Sequence, residues 1–132
     1  MPQAFKWQLW AKRAAWTWAA LLLLACLMPS EEVPQVDVPF ADKWVHFVLF
    51  GGQTFLALLA LKRPSPKAIF GTVVLCILFG ALVEILQLIT HQWLHRAFEI
   101  TDIFADAVGV LLGWVLYLFF RKNFWKTAAT PE

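Results

Sequence analysis

The sequence predicts an all-α, polytopic membrane protein: a single domain over residues 1–132, four transmembrane helices, and both termini cytoplasmic. Three observations carry the prediction. Of the 132 residues, 61% are hydrophobic and 15% charged, where soluble chains average about 45–50% apolar. The apolar residues gather in four runs, each near the length a helix needs to cross about 30 Å of hydrocarbon. The basic residues sit on alternate connections: of the 11 Lys and Arg, all but Lys43 and Arg96 fall on one side.

The first run, Trp10 to Met28, follows Lys6, Lys12 and Arg13. Its Leu23-Leu24-Ala25-Cys26 resembles a lipoprotein cleavage box, but the apolar stretch continues to Met28 and the charge asymmetry fits an uncleaved first span. The second run, Trp44 to Leu61, comes after a segment whose Pro29, Pro34 and Pro39 remove backbone donors and favour extended chain. Lys62, Arg63 and Lys67 link it to the third run, Ala68 to Ile89, by a connection short enough to make the two helices antiparallel neighbours. His91 to Thr101 turns the chain back on the outer side. The fourth run, Ile103 to Phe120, precedes Arg121, Lys122 and Lys126. Basic residues concentrate on cytoplasmic loops, which fixes the orientation. Trp7, Trp10, Trp44, Trp93 and Trp125 mark run ends, as rings at headgroup level do; Trp16 and Trp18 lie inside the first run.

Composition also excludes functions. The positive charges are dispersed along membrane edges, not collected on one soluble face, so nucleic acid is not a partner. Cys26 and Cys76 lie in apolar runs without CxxC or Cys/His spacing and read as packing residues. No cofactor and no resident metal site is expected. Membrane lipids are the expected partners, with a lipid-linked envelope molecule as candidate ligand and oligomerisation open.

The polar residues within the runs are the functional candidates, because an acid at mid-span costs about 2.5–3.5 kcal/mol to insert and intramembrane charge marks function by default. On helix two, Asp42 and His46 share a face, with Lys43 beside them and Gln53 two turns on. On helix three, Gly80, Glu84, Gln87 and His91 form one stripe. On helix four, Asp102, Asp106, Gly109, Gly113 and Tyr117 form another, in which Gly109 and Gly113 make a GxxxG packing pair. With a rise of 1.5 Å per residue, His46, Glu84 and Asp106 each lie on the order of 5–8 Å inside the outer helix end. They can therefore meet. Asp42, Lys43, His46, Glu84, Gln87, Arg96, Asp102 and Asp106 are the ligand-binding candidates, and His46, Glu84 and Asp106 the catalytic ones. The Asp42/His46 and Asp102/Asp106 pairs offer a divalent cation a grip. An alternative is a structural cluster, with Arg96 paired to Asp102 or Asp106; interhelical hydrogen bonds average only about 0.6 kcal/mol, less than the insertion cost.

Asp42-Lys43-Trp44-Val45-His46-Phe47, Glu84-Ile85-Leu86-Gln87, Arg96-Ala97-Phe98-Glu99-Ile100-Thr101-Asp102 and Asp106 through Gly109 to Gly113 together resemble the VanZ-like family of small bacterial membrane proteins. The resemblance covers about the last two-thirds of the chain. It departs at Asp106, where the family usually has Asn, and in a longer Gln87-to-Arg96 spacing. It implies a multi-pass protein of the bacterial cytoplasmic (inner) membrane, acting at the cell envelope, with an association with low-level resistance to the glycopeptide teicoplanin. It implies no reaction. Three functions follow as expectations: an outer-leaflet site recognising a lipid headgroup or lipid-linked precursor, a membrane-embedded acid–base enzyme, and proton-linked transport.

Overall fold

The computed structural model describes residues 3–127, with side-chain surroundings for residues 6–122. Among them the chain is helical throughout, without strands: α1 (Gln3–Cys26), a single 3-10 turn (Ser30–Glu32), α2 (Ala41–Leu59), α3 (Pro66–Ile89), α4 (His91–Leu94) and α5 (Ile100–Thr127).

Local chemistry sets most of the boundaries. Pro29, which has no N–H to continue a helical ladder, stands just past the end of α1. Ser65 caps α3, its hydroxyl accepting from the Ala68 amide at 3.2 Å, and Pro66 occupies the first turn, where its missing N–H costs nothing. Phe40 enters α2 from a left-handed conformation (φ 56°). His95, also left-handed (φ 50°), ends the single turn of α4 that the sequence reading treats as plain loop. α5 runs on to Thr127 where the fourth apolar run stops at Phe120. The side chains of Trp125 and Lys126 lie outside the described residues.

Two of the four expected spans, Pro66–Ile89 and Ile100–Lys122, are long and apolar enough to cross a membrane. Only 33% and 28% of their apolar windows are buried, so these are not the enclosed helices of a soluble core. Phe70, Leu75, Leu78 and Leu82 on α3, and Phe104, Val115 and Phe119 on α5, face outward. α1 and α2 do not reach the same apolarity. Lys12 and Arg13 dilute the first, and Asp42, Lys43, His46 and Gln53 the second.

α2 is the hub, packing on α1, α3 and most extensively on α5. The α2–α5 contact is backbone on backbone. A Cβ at Gly109 would collide with the Phe47 carbonyl oxygen, one at Gly113 with that of Gly51, and one at Gly51 would stand 3.0 Å from the Gly109 carbonyl. The GxxxG pair thus meets a glycine on the opposing helix. Of the two tryptophans inside the first run, Trp16 is exposed and Trp18 turns inward: its indole covers Gly52 and its Nε1 donates to the Leu49 carbonyl at 2.8 Å. Leu22, Phe50, Leu58, Ile69, Val73, Val83, Val110 and Tyr117 fill the core, with Cys26 and Cys76 buried among them as free thiols.

Gly113→Ala is expected to destabilise the fold by about 1–3 kcal/mol, because two backbones must part to admit a methyl. A methyl at Gly71 would have nothing within 4 Å, so Gly71→Ala is expected to be neutral or to stabilise by up to about 1 kcal/mol. Thermal unfolding of both variants in one detergent tests the contrast.

Candidate functional site

The antiparallel arrangement gathers the C-terminal ends of α1 and α3 and the N-terminal ends of α2 and α5 at one end of the bundle, and the polar residues follow. His46, Glu84 and Asp106 are buried, at 2%, 0% and 1% exposure. His46 Nδ1 lies 2.9 Å from Asp106 Oδ1 and 3.9 Å from Glu84 Oε1. The other ring nitrogen, Nε2, stands 3.7 Å from Asp102 Oδ2. Three acids, from α3 and α5, converge on one imidazole of α2.

Glu84 Oε1 and Asp106 Oδ2 are buried with no hydrogen-bond partner among the described residues. Glu84 Oε2 accepts from the Glu99 amide at 3.4 Å, which drapes the segment before α5 over the acid. Asp106 is accommodated by Gly80, whose missing side chain leaves space that a Cβ would fill to within 3.0 Å of Asp106 Oδ2.

A second group lies outward of the first. Lys43 Nζ is within 2.6 Å of Asp42 Oδ2, 2.5 Å of Glu99 Oε2 and 2.6 Å of Asp102 Oδ1. The Asp102 contact is an ion pair without the alignment of a hydrogen bond. Lys43 does not reach out to headgroups, as an interfacial lysine does by snorkelling; its side chain is 21% exposed and enclosed by acids. It precedes the apolar run of α2. Burial there pulls its pKa down, but contacts with Asp102, Asp42 and Glu99 outweigh this and hold it above the ordinary lysine value. The Lys43 contact in turn lowers the Asp42 carboxyl.

Arg96 pairs with neither Asp102 nor Asp106, correcting the structural alternative: those acids are taken by Lys43 and His46. Arg96 is half-buried, and no carboxylate among the described residues forms an ion pair with its guanidinium. It stands three residues before Glu99, whose amide reaches Glu84. The Arg96 carbonyl is held by His91 Nδ1 at 2.6 Å. Gln87 ties α3 to α1. Its Nε2 donates to the Cys26 carbonyl at 2.7 Å, satisfying the otherwise orphaned end of α1. His95 Nδ1 meets Glu31 Oε1 at 2.5 Å on the surface, tying α4 to the loop before α2. The Glu31–His95 link has no sequence signal, because its partners are 64 positions apart in loops.

Removing Lys43 leaves Asp102 buried without its cation, and Lys43→Met is expected to destabilise by about 3 kcal/mol. The wild type should also show the matching pH limbs. Depressed in the folded state, Asp42 contributes stability above its ordinary 3.8 that is lost as pH falls from there. Raised in the folded state, Lys43 contributes stability below its ordinary 10.5 that is lost as pH rises past it. Melting temperature against pH for wild type and Lys43→Met checks both: the variant should lose the Asp42 contribution to the acid limb and the lysine limb entirely.

A family model described as VanZ/LLP1 matches residues 1–121, taking in α1 as well as the polar motifs. No curated protein and no solved structure matches the chain. With nearly the whole chain covered by the match, and with its polar motifs converging at one end of an apolar bundle, the protein belongs to the VanZ/LLP1 family.

Proposed function

We propose that the protein crosses the bacterial cytoplasmic membrane four times, with both termini inside, and that the polar end of the bundle recognises an envelope lipid headgroup or lipid-linked precursor at the outer leaflet. The observation that carries this reading is the Arg96 guanidinium. Arg96 is half-buried at the acid-rich end, its guanidinium has no carboxylate partner among the described residues, and the planar fork suits a phosphate bidentately. Lys43 is occupied by three acids and positions the surrounding chain. Glu84, Asp106, His46 and Gln87 orient the remainder of the ligand. In this reading α1 and α2 cross the membrane as well, with the buried His46 of α2 facing the bundle and not lipid. The teicoplanin resistance implied by the family resemblance then arises from handling of a lipid-linked envelope molecule.

Arg96→Ala is expected to cut co-purification of phosphate-bearing lipid at least about fivefold, with Arg96→Lys retaining a part, since a lysine keeps the charge but not the fork. Lipid mass spectrometry on equal amounts of folded protein reads this out. Equal lipid in wild type and Arg96→Ala sinks the proposal.

A second reading is favoured by the 2.9 Å His46–Asp106 contact with Glu84 alongside: a membrane-embedded enzyme in which these groups move a proton on a lipid or envelope substrate. It requires turnover of labelled lipid phosphates or wall precursors by wild type that falls about a hundredfold or more in Glu84→Gln. Absence of turnover across a broad panel counts against it.

A further inference from the structure

Among the described residues two triads of donor atoms lie at the polar end of the bundle, and only one contains its own cation. In the outer triad, Asp42, Glu99 and Asp102 each place an oxygen within 2.6 Å of the Lys43 ammonium, which fills the centre. In the inner triad, His46, Glu84 and Asp106 bring one nitrogen and two carboxylate oxygens within 4.8 Å of one another. No ammonium or guanidinium among the described residues pairs with Glu84 or Asp106, and each retains a buried oxygen without a hydrogen-bond partner. Buried charges are paired or coordinate metals.

We infer that His46 Nδ1, Glu84 and Asp106 bind a divalent first-row transition cation, of the Zn²⁺ or Mn²⁺ class. The donor set selects this class: imidazole suits transition metals, whereas Mg²⁺ and Ca²⁺ take oxygen ligands. The geometry is close to the requirement. Ligand atoms about 2.0–2.1 Å from a tetrahedral zinc stand about 3.3 Å apart, and the two imidazole-to-carboxylate separations, 2.9 and 3.9 Å, straddle that value. The two carboxylate charges balance a divalent cation without help from outside the triad. Asp102 Oδ2, 3.7 Å from the other imidazole nitrogen, stands where an orienting carboxylate belongs behind a metal-bound histidine. Three protein donors leave a fourth position open to an external ligand. The donors come from α2, α3 and α5 at sequence separations that no linear motif encodes. The site stands whether or not Arg96 holds a headgroup, because it needs only the three side chains.

The test uses full-length protein in detergent, stripped with a chelator and then equilibrated with Zn²⁺, Mn²⁺ or Mg²⁺ as the only probe. Elemental mass spectrometry after desalting should find roughly one Zn²⁺ or Mn²⁺ per wild-type chain, with a raised melting temperature, and little Mg²⁺. Glu84→Gln and Asp106→Asn, which preserve shape, should bind at least about tenfold more weakly and lose the thermal shift. Glu99→Gln and Glu99→Ala, in the outer triad, should bind as wild type does. Wild type that takes up no Zn²⁺ or Mn²⁺ overturns the inference even if an inner variant fails to fold. Retention in Glu84→Gln, or loss only in the outer-triad variants, overturns it as well.

Discussion

The close approach of α2 and α5 is the constraint on which the rest depends. Gly51, Gly109 and Gly113 let two backbones meet where side chains would hold them apart. Close van der Waals contact between small residues supplies the attraction between the two backbones. The contact also sets the register. His46 lies one residue before Phe47, whose carbonyl faces Gly109, and Asp106 lies one turn before Gly109. The same meeting of backbones that binds the helices therefore brings the imidazole and the carboxylate to 2.9 Å.

Around that axis the acids divide by depth. Those at the rim share an ammonium, and Lys43 turns three like charges that would repel one another into a clamp on the starts of α2 and α5. Those inside have only an imidazole between them. Asp102 belongs to both levels, with one oxygen on Lys43 and the other toward His46. It couples the rim to the interior through a single carboxylate.

Periodicity makes much of this legible in the sequence. The stripes through His46, Glu84 and Asp106 fall on the faces that meet, since a helix repeats every 3.6 residues and an acid does not face lipid. The GxxxG pair names its own use. What the sequence does not encode is pairing between helices. Charge alone matches Arg96 to Asp102 or Asp106, while in the fold those acids go to nearer partners at Lys43 and His46. Grouping donors along the chain likewise favours Asp42/His46 and Asp102/Asp106, but a donor set drawn from three helices emerges only once they are packed. Gln87, a site residue by its stripe, commits its amide to the end of α1. Helix ends are the least readable, because polar residues at the start of α2 and basic ones after Phe120 continue a helix beyond its apolar run.

Gly80 has a consequence of its own. Its bare α-carbon is the floor against which the Asp106 head rests, so the bulk of whichever residue stands there adjusts the spacing between that carboxylate and Glu84 one turn along the same helix. A methyl added on that floor thus shifts the Asp106 carboxylate relative to Glu84 without replacing any donor group.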